Sequence, residues 1–375
     1  MDDHRGNTWQ TNHVPPLTLT GFPMRRIPLL AFICCLATVA AATRASAQTD
    51  IPSTIQHGGA TRSYIVRLPP GFSPSGRHPL VLALHPAFSS GASFQASSGW
   101  DAVSNARGVV VVYPNGGNIA GTQGNFTWNS WDFTGQSPND VSFLAALIAR
   151  VHSDHGTDPC RTYMTGFSNG AMMANSFVAV HAGLVAAIAP VSGGWITAYS
   201  GDASVLDPAG PVPVWTWRGG NENFVTGVGA NARPRSQQDQ EQRAFWVAHN
   251  AATPVETRSE QLTYGSTRTY VTNIFDGDAR VWFTEVQGTS HVYQPGAADL
   301  IWNRFFSQIE SGSGPCAPCA TDINGDGATD GIDLGVLLGA WGTPSAAADF
   351  DGDGTVNGDD LGILLAAWGQ CPTAG

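Results

Sequence analysis

The sequence predicts an α/β domain built on a mostly parallel, doubly wound sheet, with a small helical module appended at its C-terminal end. Three observations predict it. Short apolar runs recur along the chain and are near-continuous rather than alternating, so each such strand has both faces covered. Segments with apolar residues at helical spacing fall between them, giving repeated strand-helix units. Beyond residue 320 one acidic pattern occurs twice, and each copy runs into an apolar helix.

The chain has 375 residues, enough for two domains or one large domain with additions. Its 42% hydrophobic content is ample for a core, and its formal charge of −11 argues against nucleic acid as a partner. Residues 1–23 read as an upstream extension. Met24-Arg25-Arg26 then leads into the apolar run 27–42, followed by Ala45-Ser46-Ala47. A basic start, an apolar run and a small-x-small site form a secretory signal, with cleavage expected before Gln48. The run is too short for a stable membrane anchor. Cys34 and Cys35 leave with the signal. The mature chain keeps Cys160, Cys316, Cys319 and Cys371, for which a secreted location favours disulfides.

The α/β domain is expected over residues 48–310. Strands are predicted at 64–68, 79–85 (PLVLALH), 108–114 (GVVVVYP), 162–167, 185–191, 213–217 and 281–286. Residues 140–152 carry apolar side chains at Val141, Leu144, Leu147, Ile148 and Val151, the spacing of an amphipathic helix, and 237–249 reads as another.

Between a short β-prone run and a run of helix formers lies Gly166-Phe167-Ser168-Asn169-Gly170. A G-x-S-x-G in that context puts the serine on a sharp strand-to-helix turn, with the helix N-terminus facing any negative charge that develops there. Further strands run into Glu222, within Arg218-Gly219-Gly220-Asn221-Glu222-Asn223, and into His291. Nucleophile, acid, histidine is the chain order of the α/β-hydrolase triad, and all three follow the carboxyl ends of strands. Serine needs a base to take its proton, and the base needs a carboxylate to fix its tautomer. Ser168, His291 and Glu222 are the candidates. His152, His155 and His181 are rival bases; Asp202, Asp207 and Asp276 are rival acids. Oxyanion donors are expected from the Asn169 N–H and from Ala87 or Phe88, since Pro86 has no N–H. His85 is either catalytic or packed under that loop. Residues 115–133 carry Phe126, Trp128, Trp131 and Phe133 among polar residues. Trp128 and Trp131 are candidates to stack on a substrate; the alternative is that these rings fill the loop's own small core.

The runs 79–116 and 139–174, with Gly166 through Met173 matching G-[LF]-S-N-G-x-M-x and Gly288 to Gly296 resembling a G-x-x-H-x-[WY]-x-x-G-like stretch, resemble the secreted polyhydroxybutyrate depolymerase and feruloyl esterase family of α/β-hydrolases. The resemblance covers roughly residues 50–310. It implies a serine carboxylic-ester hydrolase without a catalytic cofactor, acting on a polyester or on feruloyl or acetylxylan esters. The chain departs from the family twice: His85-Pro86 replaces His-Gly, and Arg218 to Glu222 replaces H-G-T-x-D.

Residues 311–320 read as a Gly/Ser/Pro linker, and 321–375 as a separate module. Its first loop offers Asp322, Asn324, Asp326, the Ala328 carbonyl, Asp330 and Asp333; its second, 27 residues on, offers Asp349, Asp351, Asp353, the Thr355 carbonyl, Asn357 and Asp360. Oxygen ligands at positions 1, 3, 5, 7, 9 and 12 with Gly at 6 are the ligand pattern of a calcium loop, here with Asp at 12. The pair resembles a dockerin type I repeat pair, which implies structural calcium and a possible cohesin-like scaffold partner; a calcium-folded appendage with no partner is the alternative. The four cysteines allow three pairings, among which the sequence does not choose.

The reading is a secreted serine esterase with a calcium module. The alternative is a degenerate hydrolase fold retained for carbohydrate or scaffold binding.

Overall fold

A computed structural model describes residues 49–117, 126–130, 139–200, 206, 208–309, 321–323, 328–345, 348–350 and 354–370. The signal segment and the linker lie outside them. So do Trp131, Asn324, Asp326, Asp351, Asp353, Asp202, Asp207, Cys316, Cys319 and Cys371. Among the described residues no helix is long and apolar enough to cross a membrane.

The chain opens with an antiparallel pair, β1 (Thr49–His57) and β2 (Ala60–Leu68). There follow β3 (Leu80–Leu84), α1 (Gly91–Ser98), α2 (Trp100–Arg107), β4 (Val110–Pro114), α3 (Asp140–His155), β5 (Thr162–Phe167), α4 (Asn169–His181) and β6 (Ala187–Val191). Next are α5 (Thr197–Ser200), β7 (Val214–Gly219), the two-residue ribbon β8 (Val225–Thr226) and β9 (Arg233–Pro234), and α6 (Arg235–His249). A long hairpin, β10 (Thr253–Tyr264) and β11 (Ser266–Asp276), precedes β12 (Val281–Val286) and α7 (Ala297–Arg304).

These strands form one ten-stranded sheet in the order β1-β2-β4-β3-β5-β6-β7-β12-β11-β10. From β4 to β12 neighbouring strands run parallel, and both flanks are antiparallel. The fully apolar runs are the central strands. β3 shows why: Leu80, Leu82 and Leu84 enter one core with α3, α4 and Trp246 of α6, while Val81 and Ala83 enter the other with α1, α2 and α7. A strand buried on both faces must be apolar at every position.

The sequence reading missed β1, the β10–β11 hairpin and helices α1, α2 and α7. The β10 face is largely exposed, and its sequence, TPVETRSEQLTY, is correspondingly polar. The hairpin intervenes before β12, yet β12 returns to pair with β7. The acid and histidine loops therefore follow adjacent parallel strands. α3 begins at Asp140 as expected, where the Asn139 side chain accepts from the Ser142 N–H at 2.9 Å, and runs on to His155.

The C-terminal module has its own small core of Leu337, Ala348, Val356 and Leu364. A ribbon of β13 (Ala328–Thr329) and β14 (Gly369–Gln370) joins its two ends. Helices α8 (Gly331–Gly339) and α9 (Gly358–Ala366) open on the same capping box, Asp330 with Asp333 and Asn357 with Asp360.

Candidate active site

The elbow forms because two glycines let it. A Cβ on Gly166 would lie 2.5 Å from the Gly170 carbonyl carbon, and one on Gly170 would lie 2.3 Å from the Leu84 carbonyl oxygen. With neither present, β5 turns into α4 within one residue. Ser168 takes φ +54° and ψ −114°, a conformation side chains rarely adopt, and its N–H donates to the Val191 carbonyl at 3.0 Å.

The loops after β5, β7 and β12 meet at the carboxyl edge of the sheet. His291 Nε2 lies 2.9 Å from Ser168 Oγ, and His291 Nδ1 lies 3.4 Å from Glu222 Oε2. Glu222 is fully buried, and its Oε1 accepts from the Gly219 N–H at 2.9 Å. Burial alone would raise the pKa of this carboxyl. Hydrogen bonds from His291, Ser192 and the Gly219 amide, with the Arg235 guanidinium, outweigh it and hold the group below its ordinary value. The His291 loop is braced by buried Gln294, whose Nε2 donates to the Ser290 and Val292 carbonyls at 3.2 and 3.1 Å. Phe167 and Phe224 pack against the imidazole, with ring centroids 5.0 and 5.4 Å away.

The rivals lie elsewhere. His152 bonds Thr162, the first residue of β5, and His181 ends α4, both far along the chain from the serine turn. His155 packs on Phe72. Asp276 is exposed beside the start of β12, where Phe275 pairs with Val281, at the opposite edge of the sheet from His291. His85 is fully buried; its Nδ1 meets the Pro86 carbonyl at 2.7 Å, its Nε2 accepts from the Gly116 N–H at 3.0 Å, and desolvation lowers its pKa to about 4. It packs under the loop as a neutral ring.

Trp128 requires a correction. It is fully buried, and its Nε1 donates to the His85 carbonyl at 2.8 Å, so it has no face to offer a substrate. An indole satisfies its N–H and buries its ring at once here, which a polar-looking loop sequence does not disclose. Its backbone instead clamps the residue after the serine. Asn169 Oδ1 accepts from the Trp128 N–H at 2.7 Å, and Nδ2 donates to the Trp128 carbonyl and Ser130 Oγ, each at 3.1 Å. As the first residue of α4, Asn169 has no intrahelical acceptor for its own N–H. On the neighbouring loop the Phe88 N–H is directed at Thr127 Oγ1 at 3.3 Å, whereas Ala87 precedes it in the same turn. Phe88 is left-handed, with φ +58°, and 69% exposed beside the site's loop. Arg235, Ser192, Gln294 and Thr127 were not singled out from the sequence, because nothing local marks them.

Residues 62–208 match the family model described as Esterase PHB depolymerase. The match contains Ser168 and its helix and ends before Glu222 and His291. Among curated relatives, a bifunctional acetylxylan esterase/xylanase of Neocallimastix patriciarum is 27% identical over 67% of this chain and 34% of its own length. A poly(3-hydroxyalkanoate) depolymerase C of Paucimonas lemoignei is 32% identical over 31% of this chain and 28% of its own. The aligned region thus spans about a third of the length of these relatives. Among solved structures, an acetyl xylan esterase from Aspergillus awamori superposes with a TM-score of 0.52 at 20% identity, over 69% of this chain and 99% of that one. That likeness is one of fold, and it agrees with the α/β-hydrolase architecture read from strand order.

In the C-terminal module Asp333 and Asp360 are fully buried. Asp333 accepts from the Ile323 and Asp330 N–H groups at 2.8 and 2.9 Å; Asp360 accepts from Phe350 and Asn357 at 2.6 and 2.8 Å. Residues 321–375 contain nine aspartates and no lysine, arginine or histidine. Of the expected ligands, Asn324, Asp326, Asp351 and Asp353 lie outside the described residues, and the described ones form no group of three acidic, histidine or cysteine side chains that could hold a metal. Cys160 is disulfide-bonded. Its partner lies outside the described residues.

Proposed function

We propose that this chain is a secreted serine carboxylic-ester hydrolase working through Ser168, His291 and Glu222. The observation that carries the reading is the unbroken line from Ser168 Oγ through the imidazole to a buried carboxylate. His291 Nε2 takes the hydroxyl proton as Oγ attacks the ester carbonyl. Glu222 holds the Nδ1–H tautomer and stabilises the imidazolium. The oxyanion is met by the Asn169 N–H and by the Ala87 N–H, since the neighbouring Phe88 amide is directed at Thr127. His291 then gives its proton to the leaving alcohol, and water attacks the acyl-enzyme by the same route in reverse.

The substrates proposed are esters of a polyester such as polyhydroxybutyrate or of plant cell-wall polysaccharide, feruloyl or acetylxylan. The family match and the named relatives support both classes. The appended module tilts the reading towards polysaccharide. Calcium is proposed for its two loops. The duplicated spacing of oxygen side chains supports it, with the buried Asp333 and Asp360 at the last position of each loop. Asp322, Asn324, Asp326, Asp330 and Asp333 with the Ala328 carbonyl would hold one ion, and Asp349, Asp351, Asp353, Asn357 and Asp360 with the Thr355 carbonyl the other; a cohesin-like scaffold is the partner such a module would fit. The test is purified mature protein against p-nitrophenyl esters, methyl ferulate, acetylated xylan and polyhydroxybutyrate. Hydrolysis of none of them sinks the enzyme reading and leaves the alternative, a binding protein on a hydrolase fold.

A further inference from the structure

Glu222 ends a chain of alternating charges that runs from the site to the protein surface. Arg235, the first residue of α6, is fully buried, and its Nε lies 3.5 Å from Glu222 Oε2, the oxygen that also faces His291. Its Nη2 lies 3.2 Å from Asp239 Oδ1, one turn along the same helix. Asp239 Oδ2 lies 2.6 Å from Arg218 Nη1 on β7, and Arg218 Nη2 lies 3.2 Å from Glu285 Oε2 on β12. The helix start is tied to the acid loop through backbone as well: the Arg235 N–H donates to the Phe224 carbonyl at 2.9 Å, and Gln238 Nε2 to the Thr226 carbonyl at 2.9 Å.

A buried guanidinium is costly unless anions lie against it, and here Glu222 and Asp239 do. Arg235 Nε makes no hydrogen bond, so its action on Glu222 is that of a charge at close range rather than of a directed donor. Asp239 takes part of that charge, and Arg218 takes part of the charge of Asp239. The remaining groups on the carboxylate, the Gly219 amide and Ser192, are neutral.

We propose that Arg235 is a positioning residue for the acid of the triad. Its buried guanidinium keeps Glu222 a carboxylate directed at His291, and Asp239 tunes how strongly it does so. The inference rests on the Ser168–His291–Glu222 reading. Without the Arg235 cation the Glu222–His291 pair takes up a proton more readily, so activity is lost at a higher pH. Without the Asp239 anion the Arg235 cation acts unopposed, and activity is lost at a lower pH. A merely structural role for either residue would not give opposite signs.

The experiment compares wild type, Arg235→Gln, Arg235→Lys and Asp239→Asn by kcat/KM against pH on a p-nitrophenyl ester. The same samples, labelled with ¹⁵N-histidine, are titrated by NMR with His291→Asn as the assignment reference. Arg235→Gln should lower kcat about tenfold or more with KM nearly unchanged, and move the acid limb up by about half a pH unit or more. Arg235→Lys should recover most of both. Asp239→Asn should move the limb down, and it decides the matter alone if Arg235→Gln does not fold. The His291 ring signals should move with the limb. A limb and ring titration that stay put, or that move in the same direction in both variants, overturn the proposal. Ring signals that shift as stated in a protein without esterase activity uphold the positioning and defeat only the function.

Discussion

Ser168 is held in a backbone conformation that costs on the order of 1–3 kcal/mol, and such strain persists only where the surroundings over-determine it. Here β5, α4 and the Val191 carbonyl do so. Ser168→Ala leaves those constraints in place. It should fold normally and lose ester hydrolysis by roughly 10⁴–10⁶-fold. Retained turnover in a protein with wild-type circular dichroism would defeat the assignment. The acid invites a finer test. Glutamate is one methylene longer than aspartate, and the Gly219 amide and Arg235 fix where its carboxylate lies. Glu222→Gln should lower kcat by about 10²–10⁴-fold, because the histidine loses the group that stabilises its cation. Glu222→Asp should be partly active, since the shorter arm falls short. Asp276→Asn, at the far edge of the sheet, should match wild type. A Glu222→Gln variant at the wild-type rate, with Asp276→Asn inactive, reverses the assignment. The strand-end positions of Ser168, His291 and Glu222 were legible in the sequence because each follows a strand whose apolar run announces it. Arg235 was not. It opens a helix whose sequence looks like a solvated face, and only folding brings it against the acid.

At the scale of elements, the site depends on how the 126–130 strap, the loop after β3 and the start of α4 lock together. Ser89 and Phe126 form a bridge, Trp128 closes on His85, and Asn169 closes on Trp128. Truncating the buried ring should therefore act on stability. Trp128→Ala should cost about 3–5 kcal/mol, seen as a lowered Tm, and should not behave as the loss of a substrate contact. A raised KM with Tm unchanged would restore the stacking role that burial removes. Gly170 makes the complementary case. Any Cβ there meets the Leu84 and His85 carbonyls at 2.3 and 2.6 Å, backbone that cannot swing aside. Gly170→Ala should both destabilise the domain and abolish hydrolysis, whereas a fully active, stable variant would mean the elbow is looser than this geometry. The central strands were readable because burial on both faces demands an unbroken apolar run. The β10–β11 hairpin was not, since one largely exposed ribbon can be built from polar residues as long as its turn and register hold.

At the scale of the whole molecule, charge divides the chain unevenly. The catalytic domain holds two poorly solvated histidines, His85 fully buried and His152 half-buried, and desolvation lowers the pKa of each to about 4. Their folded values lie below the unfolded value of 6.5, so the unfolded chain takes up protons first, and stability is lost as pH falls from 6.5 towards 4. Each can cost up to about 3 kcal/mol at the bottom of that window, so Tm should already decline between pH 6.5 and 5. A flat Tm there contradicts the desolvation of both rings. The C-terminal module differs in composition, with nine aspartates and no lysine, arginine or histidine in residues 321–375. Among the described residues its core is Leu337, Ala348, Val356 and Leu364, with Ile323, Leu334, Ala340, Phe350 and Leu361 packed half-buried against them, a small core for some fifty residues. On the proposed reading, carboxylates in the two loops repel until a divalent ion lies between them, and the binding free energy would then become folding free energy. The full mature chain, freed of metal, should bind about two calcium ions by calorimetry, in line with its two loops. It should gain helix on doing so, and lose protease resistance in residues 321–375 when a chelator is added. Asp333→Asn and Asp360→Asn should each remove one of those ions. Hydrolysis by Ser168 should be indifferent to the chelator, because the hydrogen-bonded line from serine to carboxylate involves no residue of either loop. Absence of calcium binding would overturn the ligand assignment, and chelator-sensitive hydrolysis would mean that the metal reaches the catalytic domain after all.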